Sequence, residues 1–280
     1  MQASDIMSSP VYVLEPKDTA SHARNLMIKH RISRCPVIEE GALCGIITKK
    51  DLAYRLRQKE PVWRRRPLDK IPVEILMTPD PLTVETGTTV SEIARAMISR
   101  EISGLPVMEE GAIAGIVTKS DILRSEKVNE LEMMVGDLAV RVEKVNRFHS
   151  LDHILDIISE QNNKVIVMND DGTIAGIITE SNLAFHTYTN VRRELHEKDV
   201  LFLRREEAGG RKWFRDVVDV SVVAEDVMSR PVVTVERMDL PIQAAVSLMR
   251  EHHINSVVIA KDRELMGIVK RDDIIQEVAK

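Results

Sequence analysis

A mixed α/β (α+β) fold, built from four modules of strand, helix, strand, strand and helix packed in two tandem pairs, is what this sequence predicts. Three observations lead there. One phrase recurs four times along the chain, each copy sets β-branched runs beside a segment of helical spacing, and 280 residues suffice for about two domains.

The repeat is plainest in its first two copies. Ile32-Ser-Arg-Cys-Pro-Val-Ile-Glu-Glu-Gly-Ala-Leu-Cys-Gly-Ile-Ile-Thr-Lys-Lys-Asp51 returns without a gap as Ile102-Ser-Gly-Leu-Pro-Val-Met-Glu-Glu-Gly-Ala-Ile-Ala-Gly-Ile-Val-Thr-Lys-Ser-Asp121. A third, more diverged copy spans 162–182 with one extra residue in its turn, and a fourth spans 254–273. The resulting organisation is repeat 1 at 1–58, a linker at 59–72, repeat 2 at 73–127, a linker at 128–136, repeat 3 at 137–185 and repeat 4 at 223–280. Residues 186–222 are an insertion, expected to extend the helix of repeat 3 or to act as a linker. Its apolar residues Val191, Leu195, Val200, Leu201, Leu203, Trp213 and Phe214 make a partner or self-association surface the alternative.

Each copy opens on a short acidic-apolar phrase: Asp5-Ile-Met7, Glu74-Ile-Leu-Met77, Asp137-Leu-Ala139 and Asp226-Val-Met228. A β-branched run such as Val11-Tyr-Val-Leu14 or Pro231-Val-Val-Thr-Val235 follows and predicts a strand. Next, Val90, Ile93, Ala94, Met97 and Ile98 fall at the spacing of one buried helix face, with Thr88 or Thr89 as N-cap. Two apolar runs around Glu109-Glu-Gly111 read as a hairpin, and a second helix starts at Lys119-Ser-Asp121. A module of about 50–60 residues is marginal alone and has a sheet face to cover, which is why pairs are expected.

Composition narrows the function classes. A net charge of -5 gives no global attraction to nucleic acid or an anionic membrane. No signal-type start and no window of about 18 apolar residues is present, so a cytoplasmic location without a membrane partner is expected. Cys35 aligns with Leu105 and Cys44 with Ala114, positions of a core strand, so both are expected as reduced, buried thiols. The basic cluster Arg64-Arg-Arg66 is read as solvated linker, with nucleic acid an unfavoured alternative. His149 and His153 have ligand spacing without a third partner, and no metal site is expected. No nucleophile elbow, Walker loop or dinucleotide fingerprint occurs, so the chain is read as a non-enzyme.

The phrase Gly45-Ile-Ile-Thr48-x-x-Asp51, preceded by Cys35-Pro36-Val37 and by Asp5-Ile-Met7, resembles the cystathionine-β-synthase (CBS) domain, and the resemblance covers all four repeats. It implies tandem pairs at about 1–125 and 137–280, with clefts that commonly bind AMP, ADP, ATP or S-adenosylmethionine as regulatory rather than catalytic ligands.

The residues themselves admit two readings. Thr-x-x-Asp at a strand-to-helix junction is close to a capping box. An ionised Asp there also carries two acceptor oxygens suited to a ribose diol, and a helix start attracts phosphate. The resemblance carries ligand roles onto Thr48, Asp51, Thr118 and Asp121. Repeat 3 departs from the pattern, keeping Thr179 but placing Asn182 where the acid stands; repeat 4 has Lys270 in place of the Thr and retains Asp273. Arg34 and Lys164 precede a core strand where the family often places a phosphate-facing base, whereas Gly104 and Ser256 hold that place elsewhere. The expected function is therefore energy or metabolite sensing through adenine nucleotides or adenosyl compounds, acting on an unidentified target protein, with a homodimer possible. The alternatives are a scaffold with vestigial clefts and a nucleic-acid-linked regulator.

Overall fold

The computed structural model describes residues 1–56, 68–158, 164–179, 182–183, 198–207, 210–219, 222–262 and 264–280. The Arg64-Arg-Arg66 cluster lies outside them.

Repeats 2, 3 and 4 each form the expected three-stranded sheet. In repeat 2, Val84–Glu85 runs parallel to Gly104–Glu109, which pairs antiparallel with Ala112–Thr118. Repeat 3 repeats this with Glu143–Asn146, Lys164–Met168 and Ile174–Thr179, and repeat 4 with Thr234–Val235, Ser256–Lys261 and Glu264–Lys270. Repeat 1 departs slightly. Its predicted strand over 11–14 shrinks to a single parallel bridge of Leu14 with Val37, flanked by Pro10 and Pro16, which have no N–H to give a ladder. The hairpin turns place both central residues at positive φ, Glu40 at 50° with Gly41 at 86° and Glu110 at 50° with Gly111 at 82°, the twist that two-residue hairpins favour.

Helix starts follow the sequence chemistry. Thr89 caps Val90–Ser99 in a full capping box with Glu92, and that helix buries Val90, Ile93, Ala94 and Met97. Thr19 caps Ala20–Lys29, and Ser150 caps Leu151–Ile157. His149 has a local duty of its own, its Nδ1 accepting from the Asn146 amide at 3.1 Å.

The opening phrases do not cover their own modules; they are exchanged between sisters. Ser8 of repeat 1 trades two backbone hydrogen bonds with Ile116 of repeat 2, at 2.9 and 3.1 Å, and Met7 lies over Gly115. Reciprocally, Thr78–Pro79 of repeat 2 pairs with Gly45 and Ile46 of repeat 1, and Met77 lies over Gly45. A methyl group added at Gly45 would stand 2.4 Å from the Met77 sulfur. Repeats 3 and 4 repeat the trade. Ser229 bonds Ile177 with Met228 over Gly176, and Val140 bonds Ile268 with its carbonyl over Gly267. These glycines are therefore held by close packing of the sister's opening phrase.

This exchange explains how the chain divides. One compact unit comprises Met1–Arg141 with Val233–Lys280, and the other Val142–Val232. The division crosses the expected tandem at 137–280 because each opening phrase sits with its sister's sheet. In the first unit, Leu14, Met27, Cys35, Val37 and Ile47 of repeat 1 pack with Val73 of repeat 2. A second core there joins Ile93 and Met97 of repeat 2 to Ile274, Ile275 and Val278 of repeat 4. The second unit is built on Val145, Ile154, Val165, Val167 and Ile178, closed by Ala224 and Val227.

The insertion corrects the expectation of a helical extension. Lys198–Glu207 and Gly210–Asp219 form an antiparallel hairpin in continuous register, from Lys198 opposite Asp219 to Glu207 opposite Gly210. Val200, Phe202, Trp213, Phe214, Val217 and Val218 are β-branched or aromatic, and Gly209-Gly210 between the runs is a turn signal. The remainder of 186–197 lies outside the described residues.

Cys35 is fully buried, and burial pushes its thiol from 9.0 up to about 11. Cys44 shifts the same way, and its Sγ sits 3.3 Å from the Val37 carbonyl. Folded protein at pH 7.5 is therefore expected to resist alkylation at Cys35, with labelling appearing only on denaturation; quantitative native labelling of Cys35 in a mass-spectrometric assay would contradict this. The sign of the linkage follows: a thiol raised on folding contributes stability that is intact below pH 9 and lost as pH rises through about 11.

Candidate functional site

The antiparallel register brings the two sequence signals of each repeat face to face. Arg34 stands opposite Thr48, Gly104 opposite Thr118, Lys164 opposite Thr179 and Ser256 opposite Lys270. The residue before one core strand and the residue ending the next therefore occupy one end of the sheet, where the second helix begins.

At that junction the capping box forms. Thr48 donates from its backbone N–H and from its hydroxyl to Asp51 Oδ2, both at 2.7 Å. In repeat 2 the same bonds from Thr118 to Asp121 Oδ2 measure 2.8 and 2.6 Å. Both cap bonds fall on one carboxylate oxygen, so Oδ1 of each acid is not used by the cap. Asp121 is only 5% exposed, and its Oδ1 lies 3.4 Å from the Arg124 guanidinium.

Repeat 3 shows what the change to an amide does. The Asn182 carbonyl takes over the cap, accepting from Thr179 N at 3.0 Å and Thr179 Oγ1 at 2.6 Å. Its remaining polar atom is a donor, given to Ser229 Oγ at 2.7 Å. No second acceptor remains on that side chain. In repeat 4, Asp273 Oδ2 accepts from Lys270 N at 3.3 Å.

Arg34 lies between the acids of repeats 1 and 2. It donates to Ser103 Oγ of repeat 2 at 2.8 Å and packs so closely on Gly104 that a methyl group there would stand 2.2 Å from its guanidinium. Glycine at the sister position is thus what admits the arginine: one such side chain fills the junction for both modules. Burial first, then the neighbouring Arg271, lowers its pKa to about 10, while Asp121 and Asp51 oppose the shift. Arg34 therefore stays charged at neutral pH. Its Nε is buried and has no hydrogen-bond partner among the described residues.

Thr48, Asp51, Thr118, Asp121 and Arg34 are thus brought together in the first unit. Thr179, Asn182 and the buried Lys164 form the corresponding junction of the second, and Lys270 and Asp273 that of repeat 4 in the first. Sequence reasoning missed Arg271, Lys119 and Ser103. The position after the junction residue (Thr48, Thr118 or Lys270) is basic in three repeats (Lys49, Lys119 and Arg271), a signal the alignment of repeats contains. Lys119, 5% exposed, pairs with Asp272 of repeat 4 at 3.1 Å.

No helix among the described residues is long and apolar enough to cross a membrane.

Comparison with known proteins places the chain. The sequence profile of the CBS domain matches residues 3–58, 73–127, 135–186 and 223–280. The fold is similar to that of protein MJ1225 from Methanocaldococcus jannaschii, with a TM-score of 0.72 at 17% identity over 99% of both chains. Over 122 residues the sequence is 34% identical to L-aspartate semialdehyde sulfurtransferase of the same organism, a match of 43% of this chain and 22% of that one. It is also 26% identical over 261 residues to a 33.4 kDa protein in a ribosomal RNA operon of Thermofilum pendens, covering 89% of this chain and 81% of that one. The chain spans less than a quarter of the sulfurtransferase, and 45% of MJ1225 in the sequence match. With four profile matches accounting for most of its length, the chain belongs to the CBS domain family.

Proposed function

We propose that this is a regulatory protein that senses adenine nucleotides or adenosyl compounds in the clefts of its first repeat pair. The observation that carries the reading is the split use of the two acids: Oδ2 of Asp51 and of Asp121 closes the helix cap, which keeps the Oδ1 of Asp51 for a ribose hydroxyl, whereas that of Asp121 faces Arg124 at 3.4 Å and would share a hydroxyl with it. Thr48 and Thr118 hold each carboxylate in place, and Arg34 supplies a desolvated cation for a phosphate or carboxylate. AMP, ADP, ATP and S-adenosylmethionine share the ribose and base that this arrangement requires.

The other junctions are weaker candidates. Asn182 has spent its only oxygen on the cap, so Thr179, Asn182 and Lys164 make a poor diol site. Lys270 with Asp273 keeps the acid without the hydroxyl. Ligand bound to one arrangement of the protein better than another would shift it and so bias a target protein in the cytoplasm; the chain itself carries out no reaction.

Thermal unfolding in the presence of AMP, ADP, ATP and S-adenosylmethionine tests this. At one hundred times its dissociation constant, the cognate ligand adds about 2.7 kcal/mol of stability. Absence of stabilisation by all four at millimolar concentration would leave the scaffold reading in possession.

A further inference from the structure

The adenosine reading leaves the hairpin of Lys198–Glu207 and Gly210–Asp219 without a task. Among the described residues it is a sheet of two strands, so each strand keeps an outer edge that no third strand joins. Two strands alone are marginal in water, and a sheet gains stability from a third or fourth. Proteins usually blunt such an edge with a proline, a bulge or a charge set into its middle. Lys198–Glu207 has none of these: its ten residues hold no proline, its register with the partner strand runs unbroken, and its middle is Val200-Leu-Phe-Leu203. An edge of this length and composition pairs with another strand.

The order of charges says which strand. Lys198-Asp199 precedes the apolar middle, and Arg204-Arg-Glu-Glu207 follows it. Laid antiparallel on a copy of itself about a two-fold axis at Phe202, the strand sets Lys198 opposite Glu206 and Asp199 opposite Arg205 on both sides of the axis, with Leu201 opposite Leu203. Moving the axis by one residue in either direction brings like charges together. About Leu201, Lys198 meets Arg204; about Leu203, Asp199 meets Glu207. The other strand, Gly210–Asp219, has no symmetric register that matches more than one opposite-charge rung on each side of its axis.

The hairpin's own ladder points the same way. It sets Lys198 opposite Asp219 and Glu206 opposite Arg211, but Asp199 opposite Val218 and Arg205 opposite Lys212. A rung of two cations costs stability. Asp199 and Arg205, neither matched by the ladder, are the residues that the two-fold brings opposite each other.

We infer that Lys198–Glu207 is a self-association edge: a second copy of this chain adds its own Lys198–Glu207 antiparallel about an axis at Phe202, and the two hairpins become one four-stranded sheet. Each copy uses this edge once, so the contact closes at two chains.

Sedimentation equilibrium of the full chain tests it, with wild type expected as a reversible dimer. Arg205→Glu sets an acid opposite Asp199 at both rungs and weakens the dimer at least about tenfold. The same change turns the like-charge rung with Lys212 into an opposite-charge one, so the hairpin itself is not weakened and the melting curve of the chain does not fall. Asp199→Lys combined with Arg205→Glu reverses the rung and restores the affinity to within about threefold of wild type. Wild type that stays monomeric gives the edge to some other partner and overturns the proposal. So does a dimer whose affinity Arg205→Glu leaves within about twofold, or a loss that the double variant does not recover.

Discussion

Asp51→Asn is expected to lower AMP affinity roughly ten- to a hundredfold, about 1.5–3 kcal/mol, while leaving thermal stability close to wild type. The separation of the two effects comes from the protein's own third repeat. Asn182 shows that an amide oxygen satisfies the Thr-x-x-acid cap, with bonds of 3.0 and 2.6 Å against 2.7 Å for both in repeat 1. What the amide cannot supply is a second acceptor, because its other atom donates. Asp51→Ala is the less informative variant: it removes ligand contact and cap together, and the cap alone is worth about 0.5–2 kcal/mol. Calorimetric titration of Asp51→Asn and Asp121→Asn, each beside a melting curve, reads both quantities. Unchanged affinity in both variants would take the carboxylates out of the site.

The second large effect lies in the exchanged phrases. Gly115→Ala is expected to destabilise the first unit by about 1–3 kcal/mol, because the new methyl would stand 2.5 Å from Met7 Sδ, 2.8 Å from Cγ and 3.0 Å from Cβ. Contact with Cβ matters most, since rotating the methionine moves its tip and leaves its root in place. Met7→Ala in the same chain removes the collision, so the double variant is expected to lose less than the sum of the single variants. Equilibrium urea unfolding of the four chains measures the coupling. Strict additivity would mean that Met7 does not press on Gly115.

Much of this was readable in the residues, for identifiable reasons. Repeats 1 and 2 align without a gap, so the order of elements, the Thr89 cap and the buried face of Val90–Ser99 followed from local chemistry. The alternatives posed for Thr48 and Asp51, cap or ligand, also had a local answer: the cap forms and engages one oxygen of the acid. What escaped was non-local. Nothing in Asp5-Ile-Met7 tells that it covers the sheet of repeat 2, since the phrase looks alike whichever sheet receives it. Gly104 read as the absence of a basic residue, when it is the space into which Arg34 of the sister packs. Arg271 gained its importance from Ser120 and Lys119, more than a hundred positions away. The hairpin at 198–219 was missed for a different reason, mixed charges having masked its β-branched and aromatic runs.

The trade of Met7, Met77, Met228 and Val140 between neighbours sets the unit of inheritance for this architecture. A gene duplication that added one repeat would deliver a sheet lacking its lid and a lid lacking its sheet. Growth or loss by twos leaves every debt settled. Chains of this design should therefore lengthen in even steps, and a fragment cut between sisters should expose an uncovered sheet and aggregate.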